Sequence, residues 1–305
     1  MTSDTADDPG AFRITVGDAR RVIAGRLTGN FSDPDRLPLV CLAGLHRNQR
    51  DFTDLVSGLG QQLGPDWPVI TLDLIGRGSS SRELRGTEYS TLRDARDVMA
   101  VLRSFGVHKA VWLGQGHGGQ VIMAAAVAQP GMIAGAILND SGPVLAAGGL
   151  VRLRDNQKHL NGLKRADSFE HAYSRLLAGR YPGLEETAVN LMVWRTHETD
   201  RRGRVRPRYD ERLLAPLDEL AFDDRLDARW EMFQALGHAP LMLMRSGLTD
   251  LLSAETFAEM AEARPDAVVI EIENQGTPAL FNKPEHSGAV AGFVSTVSKT
   301  MRDAL

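Results

Sequence analysis

The chain has 305 residues, 43% apolar and 24% charged, with 30 glycines, 14 prolines and a formal charge of −4. A chain of this length buries about three quarters of its unfolded surface and needs no staples, and its one cysteine, Cys41, excludes a disulfide framework or a cysteine-rich metal site. Lys and Arg are scattered apart from Arg201-Arg202-Gly203-Arg204 and no apolar run approaches the ~20 residues of a bilayer span, which argues against nucleic acid and membrane as partners.

Residues 1–10 are acidic and polar, with no basic n-region or apolar h-region. They read as a tail without a signal peptide, and the expected location is cytoplasmic. Residues 12–16 and 21–27, split by Gly17-Asp18, read as an antiparallel hairpin. Residues 38–42 form a short buried strand, followed by a turn containing Gly44 and an amphipathic helix over about 51–63. Residues 69–72 are the next strand, ending at Asp73 before a Gly-rich loop. Over 91–105 apolar residues recur at helical spacing and stop at Gly106, as at a helix C-cap. Residues 110–113, 118–128 and 133–138 read as strand, helix, strand. Residues 241–244, 254–263, 267–272 and 287–305 resume the alternation. Strands that alternate with helices imply a mostly parallel sheet covered on both faces.

The stretch 145–237 breaks the pattern. It carries amphipathic helices around 168–177 and 184–196, with Tyr173, Tyr181, Trp194 and Trp230, and reads as an all-helical insertion. The simplest expectation is a lid over the C-terminal edge of the sheet. The chain then divides into a tail (1–10), an α/β core (11–144 and 238–305) and a helical cap (145–237).

Val111-Trp112-Leu113-Gly114-Gln115-Gly116-His117-Gly118-Gly119 runs a strand through a tight turn of small residues into a helix. That is the setting of a nucleophile elbow, whose G-x-S-x-G pattern places the nucleophile at position 116. Here the chain resembles the α/β-hydrolase superfamily of the capped single-domain type, over nearly everything from Phe12 to Leu305. Leu42-Ala43-Gly44-Leu45 is similar to the family's oxyanion loop, and the stretch from Asp73 to Ser79 matches its D-x-x-G-x-G-x-S turn. Asn139-Asp140-Ser141-Gly142-Pro143 is similar to the loop where the cap begins, and Leu248-Thr249-Asp250 to the turn bearing the acid. The resemblance implies an α/β-hydrolase fold with a mostly parallel eight-stranded sheet and a helical cap.

It also marks departures. The loop that would carry the base is Glu273-Asn274-Gln275-Gly276-Thr277-Pro278, which has no histidine and places Gly276 at the base position. Of the implied Ser–His–Asp set only Asp250 stands. Losing nucleophile and base together costs on the order of 10⁶ in a comparable triad, so a conventional serine hydrolase is not expected. The implied backbone donors, the N–H groups of Leu45 and His117 at a helix N-terminus, still suit a carbonyl or carboxylate oxygen.

The remaining candidates each have a chemical and a structural role open to them. His117, followed by a Gly-Gly pair, is similar to the Ser-His-Gly-Gly elbow of the superfamily's cofactor-free dioxygenases; it either moves a proton or is a hydrogen-bonded residue at a helix start. The helix N-terminus favours its neutral form. His46 is a pocket donor or a polar loop residue. Asp250 and Asp140 are bases on a bound water or structural carboxylates. Gln115, Gln120, Gln275 and Asn274 would make a pocket rich in neutral amides, while Ser141 and Thr277 either offer hydroxyls to the site or are turn residues. Tyr173, Trp194, Met192 and Leu191 form a cap ceiling or pack between cap helices. His159, His171, His197 and His286 are expected to face solvent, and no histidine spacing suggests a metal. No cofactor is expected. The leading expectation is a capped pocket for a small apolar carbonyl- or carboxylate-containing molecule, processed by cyclisation, isomerisation, elimination or decarboxylation. The alternatives are an inactive ligand sensor or partner subunit, and a hydrolase in which Asp250 or His117 activates water. The expected partner is a small molecule, with a homodimer left open.

Overall fold

A computed structural model describes residues 9–17 and 21–303; most of the tail and the Asp18 side of the first turn lie outside them. Strands β1 (Ala11–Val16) and β2 (Arg21–Thr28) pair antiparallel. The chain continues through β3 (Leu39–Leu42), α1 (Thr53–Leu63), β4 (Val69–Asp73), α2 (Thr91–Ser104), β5 (Ala110–Gln115), α3 (His117–Ala128) and β6 (Ile133–Asn139). After an insertion follow β9 (Leu241–Ser246), α8 (Ala254–Ala263), β10 (Val268–Ile272) and α9 (Pro284–Asp303). The eight strands are ordered β1-β2-β4-β3-β5-β6-β9-β10, and every pair from β4 to β10 is parallel. This is the α/β-hydrolase architecture, a mostly parallel sheet with helices on both faces.

The interior strands β3 to β6 and β9 are buried along their whole length, as strands covered on both faces must be. One face packs Val98 and Leu102 of α2 and Val121 and Ile122 of α3; the other packs Leu55 and Leu59 of α1 and Val290 and Val294 of α9. Helix α2 ends on Gly106 at φ +71°, with Gly106 N–H bonded to the Arg103 carbonyl and Val107 N–H to that of Leu102. That is a Schellman C-cap, and glycine meets its left-handed φ at least cost.

The insertion carries α4 (Ala147–Gly162), α5 (Ala166–Arg180), α6 (Glu186–Val193), β7 (His197–Thr199), β8 (Val205–Pro207) and α7 (Trp230–Gln234). It is therefore not all-helical. The helix expected over 184–196 ends at Val193, and the chain turns into an antiparallel hairpin, His197 opposite Pro207. Buried side-chain bonds fix that break: Thr196 Oγ1 lies 3.0 Å from His197 Nδ1, and His197 Nε2 lies 3.1 Å from Asn161 Oδ1. The insertion has small cores of its own, around Phe169, Tyr173 and Leu177 and around Leu213, Leu214 and Leu217. Its last part joins the sheet, since Phe233 and Leu236 bury against α3's side of the core.

From β3 the chain crosses to β4 on one side and then to β5 on the other. Such a switch in strand order opens a crevice at the carboxyl ends of the strands, where open α/β sheets bind ligands. The turns after β3 and β5 meet there.

Candidate active site

A cavity of about 480 Å³ opens above that switch point, within the usual range for small-molecule sites. Its floor is Gly44, Leu45, Gln115, Gly116 and His117, and its walls are leucines of the insertion, among them Leu150, Leu153, Leu177 and Leu217.

Gly116 makes the turn between β5 and α3 at φ +50°, ψ −112°, a region strained for any residue with a β-carbon. A β-carbon built there meets only open space, the nearest distant atom being Gly44 Cα at 4.0 Å. Two residues further on, a β-carbon at Gly118 would land on the Leu42 carbonyl, so glycine is what lets α3 lie directly on β3. The first turn of α3 leaves backbone N–H groups without helical partners. Neither the His117 nor the Leu45 amide finds an acceptor among the described residues.

His117 lines this floor. Its Nε2 lies 2.9 Å from Asp94 Oδ2, and an ionised carboxylate only accepts, so Nε2 carries the proton and Nδ1 the free lone pair. Nδ1 makes no bond among the described residues and is not among the sealed, unpartnered atoms, so it remains accessible from the cavity. Burial lowers the His117 pKa despite the opposing bond to Asp94, with Arg77 and Arg229 adding to the fall. The ring is neutral at pH 7. Burial alone would raise Asp94, but Arg77 and His117 hold it below the usual carboxylate range. Arg77, 2% exposed, locks this pair from behind: it donates to the carbonyls of Leu45 (2.9 Å) and Ile75 (2.6 Å) and to Asp94 (3.3 Å).

His46 lines the same floor, edge-on to Tyr209 at 5.5 Å. Burial, then Arg47, His197, Arg180 and Arg77 push its pKa well down, and its Nδ1 is sealed without a partner. Arg47 is spent on Asp51 and Tyr173. Gln115 and Gln120 line the floor but are anchored, Gln115 on the Ala279 carbonyl and Gln120 on Ser141 and Gly142.

Asp250 sits at the cavity edge. Its Oδ2 accepts from Arg152 Nε at 2.8 Å and lies 3.9 Å from Arg180 Nη2. Through Arg152 this carboxylate ties the loop after β9 to the insertion. Gly276 lies against the end of α5, where a built β-carbon would stand 3.0 Å from Arg180 Cβ and 3.1 Å from the Arg180 carbonyl.

Other sequence candidates lie elsewhere. Asp140 is fully buried outside the cavity at φ +48°, and accepts the Ser246 N–H and Oγ–H at 2.7 Å each, tying β6 to β9. It contacts no ligand space, because its lone pairs point into the sheet end. Trp194 packs on Phe169 and donates to Glu170, so it does not line the cavity; Tyr173 does. Met192 is buried in the insertion's own core and Leu191 is 67% exposed. Gln275 braces its loop by accepting the Leu280 N–H at 2.9 Å, while Thr277 reaches the cavity. His197 and His286 are buried rather than solvent-facing, His197 among Phe169, Tyr173 and Tyr209, and His286 on the inner side of α9. Among the described residues no three or more His, Cys, Asp or Glu are placed to hold a metal, and no helix is long and apolar enough to cross a membrane.

No motif in the sequence marks Asp94 or Arg77 as a site residue. The signal for Asp94 was present: it lies four residues before Val98 and seven before Val101, an acid on the buried stripe of α2.

A profile of the alpha/beta hydrolase family matches residues 39–291, and the chain belongs to that family. An α/β hydrolase structure from Novosphingobium aromaticivorans superposes with a TM-score of 0.79 at 28% identity, covering 94% of this chain and 98% of that one. The 3-hydroxybutyrate-oligomer hydrolase of Cupriavidus necator is 27% identical over 81% of this chain and 84% of its own. The 2-(acetamidomethylene)succinate hydrolase of Mesorhizobium japonicum is 23% identical over 83% and 86% respectively.

Proposed function

We propose that this protein is a hydrolase without a Ser–His–Asp triad, in which the His117–Asp94 pair activates water against the carbonyl of a small, largely apolar ester or thioester. The observation that carries this is the 2.9 Å contact between His117 Nε2 and Asp94, which leaves a neutral imidazole lone pair at Nδ1 beside the turn where the family keeps its nucleophile. In this reading Gly116 and Gly276 stand at the nucleophile and base positions, so attack by a side chain is replaced by attack of water. Water gives a proton to Nδ1 as its oxygen bonds to the carbonyl carbon. The developing oxyanion lies at the Leu45 and His117 amides, and the leaving alcohol or thiol takes the proton back as its bond to carbon breaks. Asp94 steadies the imidazolium that forms between the two transfers. The hydrolase names carried by the relatives above support this reaction type over an inactive sensor. The insertion serves as the cap, and the site is assigned to a cytoplasmic small-molecule enzyme needing no cofactor.

A second reading has the same base remove a proton next to the substrate carbonyl, with the amides holding the enolate; the missing side-chain oxygen at position 116 favours it. A panel of aryl esters and thioesters separates the two. Hydrolysis that resists a serine-directed phosphonate supports water activation. No hydrolysis, together with solvent deuterium entering an α-carbon of a bound ketone, supports proton abstraction.

A further inference from the structure

Of the four guanidinium groups that line the cavity, Arg77 and Arg47 are spent on buried carboxylates and carbonyls, while Arg180 and Arg229 make no side-chain hydrogen bond among the described residues. Arg229 bears on His117, whose pKa it helps to lower. Arg180 is the last residue of α5. Its ion-pair contact, Asp250 Oδ2 at 3.9 Å, is too long for a hydrogen bond, and that oxygen already accepts from Arg152 at 2.8 Å. A β-carbon at 276 would crowd Arg180 Cβ at 3.0 Å and its carbonyl at 3.1 Å, so Arg180 would have to give by a few tenths of an ångström. The stem of Arg180 thus stands beside Gly276, and Arg180 lines a cavity walled by leucines.

We infer that Arg180 is a carboxylate-binding subsite, so that the substrate is an acid bearing one carboxylate on an apolar body, bound with that group on Arg180 and its reacting carbonyl at the floor. A planar guanidinium that makes no hydrogen bond matches a carboxylate in bidentate geometry. Leucine walls lower the local dielectric and strengthen the pairing. The inference rests on the reading of this cavity as the substrate site, but not on the reaction assigned to His117.

The test measures binding rather than turnover, by calorimetry with hexanoate and its neutral counterpart hexanamide on the full-length protein. The wild type binds hexanoate about tenfold tighter than hexanamide. Arg180→Gln binds the two equally, and Arg180→Lys, which keeps charge and stem, recovers part of the preference. His117→Ala keeps the wild-type ratio whatever it does to turnover, which separates failure of the base from failure of the subsite. A merely structural role for Arg180 would move melting temperature without moving the ratio. Equal affinity of the wild type for the two probes, no hexanoate binding at millimolar concentration, or a preference that survives in Arg180→Gln would each overturn the assignment.

Discussion

Two buried acids near the site do opposite work because their neighbours differ. Asp94 has a guanidinium and an imidazole on it and stays ionised; Asp140 is fully buried, and burial outweighs its hydrogen bonds to Ser246, raising its pKa to about 6. A carboxyl that holds its proton more tightly folded than unfolded loses stability as pH rises, here between its ordinary value near 3.9 and about 6. Asp140→Asn keeps the acceptor for the Ser246 amide, tolerates the left-handed φ and removes the buried charge. It is expected to melt at or above the wild-type temperature at pH 7, and to flatten the pH dependence of melting between pH 4 and 6. A variant that melts several degrees lower would show that the charge itself is needed. Asp250→Asn acts on a partly exposed ion pair, worth about 0–1 kcal/mol. It should shift melting little and leave the acid limb of the pH–rate profile in place; a displaced limb would make Asp250 the base instead of His117. The sequence exposed His117 through the elbow around it, but not Asp94, whose partnership exists only once α2 lies against α3.

At the scale of elements, the turn from β5 to α3 was legible because glycines at fixed offsets have a steric meaning that does not depend on distant chain. Gly116 relieves strain there, so Gly116→Ala should cost about 1–3 kcal/mol despite open space around the new methyl. Urea melts check this; an unchanged midpoint would deny the strain. The loop at Gly276 shows in the sequence only as a stretch without histidine. Its crowding by Arg180 comes from α5, more than ninety residues earlier in the chain. The double variant Gly116→Ser, Gly276→His is therefore expected to gain little phosphonate-sensitive esterase activity, because a β-carbon at 276 already crowds Arg180 at 3.0 Å. Strong gain of such activity would mean that α5 yields easily. The hairpin β7–β8 was missed for a related reason: Thr196 and His197 leave the helix to make buried bonds that periodicity does not register.

For the whole molecule, alternation of strand and helix carried the sheet, its order of elements and the place of the insertion. The cavity was not readable in the same way, since its walls come from β3, β5, α4 and α5, brought together only by the switch in strand order. The central claim is that His117 is the base of this cavity. The direct measurement is kcat/KM for an ester that the wild type turns over, compared in His117→Ala and followed from pH 5 to 8. The account predicts a loss of about 10²–10⁴, with a wild-type acid limb below the ordinary histidine value because burial lowers the ring's pKa. Retention of activity and of that limb in His117→Ala would contradict it.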